Sequence, residues 1–89
     1  MLLIPAILTN DIEVYKQEVE MVVKSGKYER IQVDFVDKGF DNQTIPVIVT
    51  YPPDYKQLKF DAHLMITAEN IENDVSEARR LGFERIIAQ

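Results

Sequence analysis

The chain contains no cysteine, which removes disulfides, thiolate metal ligands and thiol nucleophiles together. Small secreted domains usually rely on such cross-links, so a cytoplasmic location is expected. Glycine is scarce, three residues that never cluster, so there is no glycine-rich loop to cradle a nucleotide phosphate. Basic residues are in the minority, ten against fifteen acidic for a net charge of −5, which argues against a nucleic-acid partner. No apolar run approaches the roughly 18 residues that a membrane span requires, so no membrane partner is expected. Residues 1–8 also lack the basic flank and cleavage site of a signal peptide. What is present is 46% hydrophobic and 28% charged residues, the balance of a globular chain, and residues 1–89 are expected to form one domain. At this length folding buries only about 60–65% of the unfolded chain's surface, so the core is marginal.

Four hydrophobic runs punctuate the chain, at residues 2–8, 30–36, 58–65 and 83–89. Taking Pro5, Val33, Ala62 and Ile87 as centres, they are spaced by 28, 29 and 25 residues. That is the length of a βα unit, because parallel strands need a crossover of a dozen residues or more. The first run is nearly continuous, the mark of a strand covered on both faces. After it, Asn10 is placed to cap a helix with Glu13 three residues on, and Tyr15, Val19, Val22 and Val23 form a stripe at helical spacing. Ser25-Gly26 supplies the stop. Before the last run, Thr67 can cap a second helix, Ile71, Val75 and Ala78 make its buried stripe, and Gly82 ends it. Glu77 and Arg80 can pair on its outer face. In the middle connection, Pro46, Pro52 and Pro53 leave room for one helical turn at 46–49 and a turn at 51–54. The order is β-α-β-(short α)-β-α-β, an α/β parallel sheet of four strands with helices packed outside.

Ligands of such sheets bind at the carboxyl ends of the strands. The second run places Gln32 and Asp34 two residues apart, hence on one face, and the third does the same with Asp61 and His63. If these strands are neighbours, Asp34 meets His63. Singly, each reads as a cap, turn or core residue; together, the cost of burying a carboxylate and an imidazole points to a site. Asp61 faces either the same side or, where a bulge intervenes, the opposite layer. Asp37, in Asp37-Lys38-Gly39, reads as a turn stabiliser. Met65 and Phe40 read first as packing residues, and the lysines and arginines as solvated faces.

These residues carry a resemblance. Ile4-Pro5-Ala6-Ile7-Leu8-Thr9-Asn10-Asp11, Ile31-Gln32-Val33-Asp34-Phe35-Val36-Asp37, Asn42-Gln43-Thr44-Ile45 and Phe60-Asp61-Ala62-His63-Leu64-Met65 resemble the first half of ribulose-phosphate 3-epimerase. The resemblance implies that residues 1–89 form the parallel (βα)3β half of a TIM (β/α)8 barrel. It implies proton abstraction at C3 of D-ribulose 5-phosphate, an enediolate, and reprotonation on the opposite face to give D-xylulose 5-phosphate. Two aspartates form the acid/base pair of that family, and a divalent metal, usually zinc, acts as Lewis acid. Asp34 matches the first catalytic aspartate and metal contact, His63 a metal-ligand histidine, and Met65 a methionine flanking the intermediate.

There are departures. Gln32 stands where a histidine ligand is expected and is assigned to substrate binding; a neutral carbonyl is a poor zinc donor. Ala6 replaces a serine, Val36 a methionine and Lys38 a glycine. The second aspartate and the phosphate cradle belong to the family's other half, so one base without its opposite-face acid is expected not to invert a stereocentre. Three functions follow: a half-barrel inactive alone, an epimerase completed by a partner chain or by homodimerisation, or a non-enzymatic sugar-phosphate-binding module. A dimer would form through the two sheet edges or through an inner apolar face of Ile4, Ile7, Phe35 or their neighbours.

Overall fold

A computed structural model describes residues 4–37, 43–47, 50 and 58–88. The chain is α/β: β1 (Ala6–Ile7), α1 (Ile12–Ser25), β2 (Arg30–Val36), β3 (Lys59–Met65), α2 (Ile71–Leu81) and β4 (Arg85–Ala88). The strands lie side by side in chain order and all pair parallel. Two helices are seen among the described residues. Of the short turn expected at 46–49, the described residues show Thr50 N–H bonded to Val47 O at 3.0 Å, whereas the turn expected at 51–54 and Phe40 lie outside the described residues.

Local chemistry sets the helix ends, one residue away from the expected cap at the first. Asp11, not Asn10, caps α1: its backbone is extended, and its Oδ1 accepts from Glu13 N–H at 2.9 Å. Thr9 Oγ1 in turn accepts from Asp11 N–H. Gly26 closes the helix at φ 65°, a left-handed value that a Cβ disfavours. At α2 the cap position belongs to Asn70, not Thr67, and no side chain caps the helix. Asn70 Nδ2 is instead drawn to Asp37 Oδ2 and Thr67 Oγ1, each at 3.2 Å. Gly82 ends α2 at φ 99°, and the Glu77–Arg80 pair forms at 2.7 Å.

Strand alternation separates two faces of the sheet. On β2, Ile31, Val33 and Phe35 are buried while Arg30, Gln32, Asp34 and Val36 are only partly covered. Tyr15 and Val19 of α1, Ala78 of α2, Phe60, Ala62 and Leu64 of β3 and Phe83 complete the core under the first set. Phe83 sits edge-on to Phe35, with ring centroids 5.7 Å apart, and to Phe60. Among the described residues, only the face bearing this core is covered by helices. Ile7 and Phe35 belong to it, which corrects their expected place on an open inner face. Of that set Ile4 is exposed, together with Leu8 and Ile87. The first strand is likewise covered on one face, not two: Ile7 is buried while Ala6 beside it is exposed.

Candidate functional site

The uncovered face carries the polar residues in rows fixed by register. Gln32 is level with Ala6 and Asp61, and Asp61 with Arg85; one step nearer the carboxyl ends, Asp34 is level with His63, and His63 with Ile87. Val36 and Met65 are level one step further on. The Asp61 row and the Asp34 row do different things.

Asp34 and His63, in the row nearer the carboxyl ends, are met by Gln32 from the row below. Gln32 Nε2 donates to Asp34 Oδ1 at 2.7 Å, His63 Nδ1 lies 3.3 Å from the same oxygen, and Gln32 Nε2 lies 3.4 Å from His63 Nδ1. The carboxylate and imidazole are 16% and 22% exposed, sheltered enough for a strong interaction yet reachable from solvent. A carboxylate beside an imidazole is a unit able to take up and deliver a proton. Gln32, Asp34 and His63 are therefore brought together, and Met65, half-buried, lies two residues beyond His63 on the same face.

Asp61 belongs elsewhere. It shares the face with His63 but is 2% exposed, and its oxygens accept from Arg30 Nη1 and from Arg85 N, Nε and Nη2. Arg30 also bonds Glu84, and Lys59 reaches Glu84 at 3.5 Å. The hydrogen bond it donates to Glu84, together with the contacts with Asp61, holds the Arg30 proton more tightly than usual, against the opposing effect of burial. The hydrogen bond from Arg30 keeps the Glu84 carboxyl below its ordinary range. Arg30 is thus no solvated residue but part of a clamp across β2, β3 and the entry to β4. Both arginines open a strand, Arg30 β2 and Arg85 β4, flanking the acid of β3; that placement was the available sequence signal.

Asp37 ties two strand ends together; the turn Asp37-Lys38-Gly39 that it is expected to stabilise runs into residues outside the described ones. Its Oδ2 accepts from Thr67 N–H at 3.0 Å, Thr67 Oγ1 at 2.8 Å and Asn70 Nδ2. Thirty residues of chain separate Asp37 from Thr67. Asp74 lines a pocket of about 60 Å³ with Asp37, and burial, with lesser repulsion from Asp37 and Glu77, pushes its carboxyl above the usual value.

Beside the Asp34 row lies a cleft of about 340 Å³ lined by Leu8, Thr9, Asn10, Gln43 and Thr44. It is held by Ile45 N–H bonded to Thr9 O at 3.0 Å and by Val36 N–H bonded to Thr44 Oγ1 at 2.9 Å. Because Ile7 is level with Val33, Leu8 brings the cleft to the strand end that carries Asp34. Its described lining residues are neutral and polar apart from Leu8, and its volume is that of a small-metabolite site.

The donor set does not fit the zinc that the resemblance implies. Zinc sites are built from imidazole, thiolate and carboxylate donors, at least three from the protein. Here the third position holds an amide that points a hydrogen at Asp34, and among the described residues no group of three or more His, Asp or Glu forms a metal site. Among the described residues, no helix is long and apolar enough to cross a membrane. Comparison with known proteins finds no matching family model, no matching curated protein and no matching solved structure.

Proposed function

We propose that this chain is the amino-terminal half of a (β/α)8-barrel isomerase site related to ribulose-phosphate 3-epimerase, supplying one of the two acid/base groups for a pentose phosphate. The observation that carries the reading is the Asp34–His63 contact of 3.3 Å at level positions of β2 and β3. Asp34 removes the proton at C3; the C–H electron pair forms the C2–C3 enediolate, and its charge develops on the C2 oxygen. His63 lies beside Asp34 as the donor that meets this charge, and Gln32 keeps the carboxylate oriented.

A single base returns a proton to the face from which it took one. With these residues alone, C3 exchanges its hydrogen with solvent while its configuration is retained; inversion needs an acid on the opposite face. The test is incubation with D-ribulose 5-phosphate in deuterium oxide, followed by NMR. Deuterium at C3 without D-xylulose 5-phosphate, lost in Asp34→Asn, is the expected result. No incorporation above the Asp34→Asn background overturns the reading.

A second copy of the chain is the partner that would complete the site. Ile4, Leu8 and Ile87, 40%, 57% and 48% exposed, lie at the β1 and β4 sides of the uncovered face, where edge strands invite pairing. Under this extension a dimer forms at micromolar concentration by sedimentation and yields D-xylulose 5-phosphate; a monomer at every accessible concentration removes it. Binding of sugar phosphate with neither exchange nor epimerisation leaves the non-enzymatic binding module in its place.

A further inference from the structure

The three side chains at the ends of β2 and β3 form a triangle. Its sides are 2.7 Å from Gln32 Nε2 to Asp34 Oδ1, 3.3 Å from Asp34 Oδ1 to His63 Nδ1 and 3.4 Å from His63 Nδ1 to Gln32 Nε2. Tetrahedral zinc with nitrogen and oxygen ligands at about 2.0–2.1 Å sets those ligands roughly 3.3 Å apart. Two sides already have that length. The third is shorter because the amide hydrogen draws Gln32 onto the carboxylate.

The chemistry of the Gln32 corner then decides what the triangle can hold. An amide nitrogen offers hydrogens and no lone pair to a cation. Turning the amide over would present its carbonyl oxygen to Asp34 Oδ1, exchanging a charge-assisted hydrogen bond for repulsion between two oxygens. The ligand gained in return is a neutral oxygen, poorly matched to zinc beside imidazole or carboxylate. The backbone needs no change for a better donor to serve, because Gln32, Asp34 and His63 already share one face of paired strands.

We propose that Gln32 is the specificity-determining residue of this triangle: its amide closes the corner against zinc, and a donor side chain at position 32 turns the same geometry into a three-ligand zinc site. The proposal concerns the residues of the proposed function but is read by binding alone. Failure of deuterium exchange leaves it standing, and zinc binding by the native chain would overturn it without touching the role of Asp34.

The chain has one histidine, so the imidazole 15N resonances of the native protein report this position without assignment. The experiment is titration with zinc alone of the native chain, Gln32→His and Gln32→His/His63→Ala. The native resonances are expected to stay unchanged at one equivalent of zinc. Those of Gln32→His are expected to shift and saturate at one equivalent, with affinity falling at least about tenfold in the double variant, since even loss of an outer-shell partner costs about that much. A shift in the native protein at one equivalent overturns the proposal, as does a Gln32→His protein of native circular dichroism whose imidazoles ignore zinc. If Gln32→His does not fold, Gln32→Glu, which keeps the size of the amide, replaces it with the same expected and contrary results.

Discussion

Removing Asp61 is expected to cost more stability than removing any residue of the candidate site. Its side chain is 3% exposed and holds Arg30, itself only 19% exposed, on one side and Arg85, 53% exposed, on the other. Breaking a fully buried ion pair costs about 3–5 kcal/mol because one charge is left without compensation. Here Glu84 still bonds Arg30, which lowers that contribution to about 2 kcal/mol, within the range for hydrogen bonds to charged groups. The exposed Arg85 arm adds no more than about 0.5–1 kcal/mol. Loss of the acceptor for Arg85 N–H adds about 1 kcal/mol. Asp61→Ala should therefore destabilise by about 3–4 kcal/mol, against a total of roughly 4–13 kcal/mol for a chain of this length. The thermal midpoint should fall by about 12–32 °C, at 4–8 °C per kcal/mol for a small domain. Urea unfolding followed by circular dichroism measures this directly. Asp61→Asn, which keeps an acceptor of the same shape, should lose about half as much. An Asp61→Ala protein within about 0.5 kcal/mol of the native chain would refute the assignment of the clamp, since surface substitutions away from structural features fall in that range.

Further effects are expected at three residues. Tyr15 is 2% exposed and its hydroxyl has no hydrogen-bond partner among the described residues, so Tyr15→Phe should raise stability by about 1 kcal/mol in urea unfolding. Burial also raises the Tyr15 phenol above its ordinary value; the native proton is retained while the unfolded one is lost, so stability should fall as pH rises beyond about 10, and more steeply in the native chain than in Tyr15→Phe. Glu84, lowered by its bond to Arg30, contributes stability that is present above the unfolded carboxyl value and lost as pH falls through the folded one. The difference between the native chain and Glu84→Gln should accordingly close between about pH 6 and pH 3. Gly82→Ala should cost about 1 kcal/mol or slightly more from backbone strain at φ 99°, because a Cβ there meets no atom within 4 Å.

The parallel order of β1 to β4 was legible because crossover length is written into the spacing of the apolar runs, and consecutive runs became consecutive strands. The Asp34–His63 contact followed from the same arithmetic, since two residues placed alike on neighbouring strands are brought level by register. Period two, however, says which residues share a face and not which face the helices cover. That left Ile7 and Phe35 on the wrong side until the burial of both beneath the helices decided it. Asn10 and Asp11 are both good caps, and the choice turned on the extended backbone at Asp11. Asn70 gave up its capping bond to serve Asp37, a competition that no local pattern reveals. The Arg30–Asp61–Arg85 clamp joins residues 24 and 31 apart in sequence, and arginines read from composition alone look like solvent-facing charge.

The most direct measurement is the fate of C3 hydrogen in D-ribulose 5-phosphate incubated with the 89-residue chain in deuterium oxide. A half-site with Asp34 as its one base predicts deuterium at C3 with configuration retained, no D-xylulose 5-phosphate from the monomer, and loss of the label in Asp34→Asn. Equal labelling by the native chain and Asp34→Asn, or none by either, would contradict it.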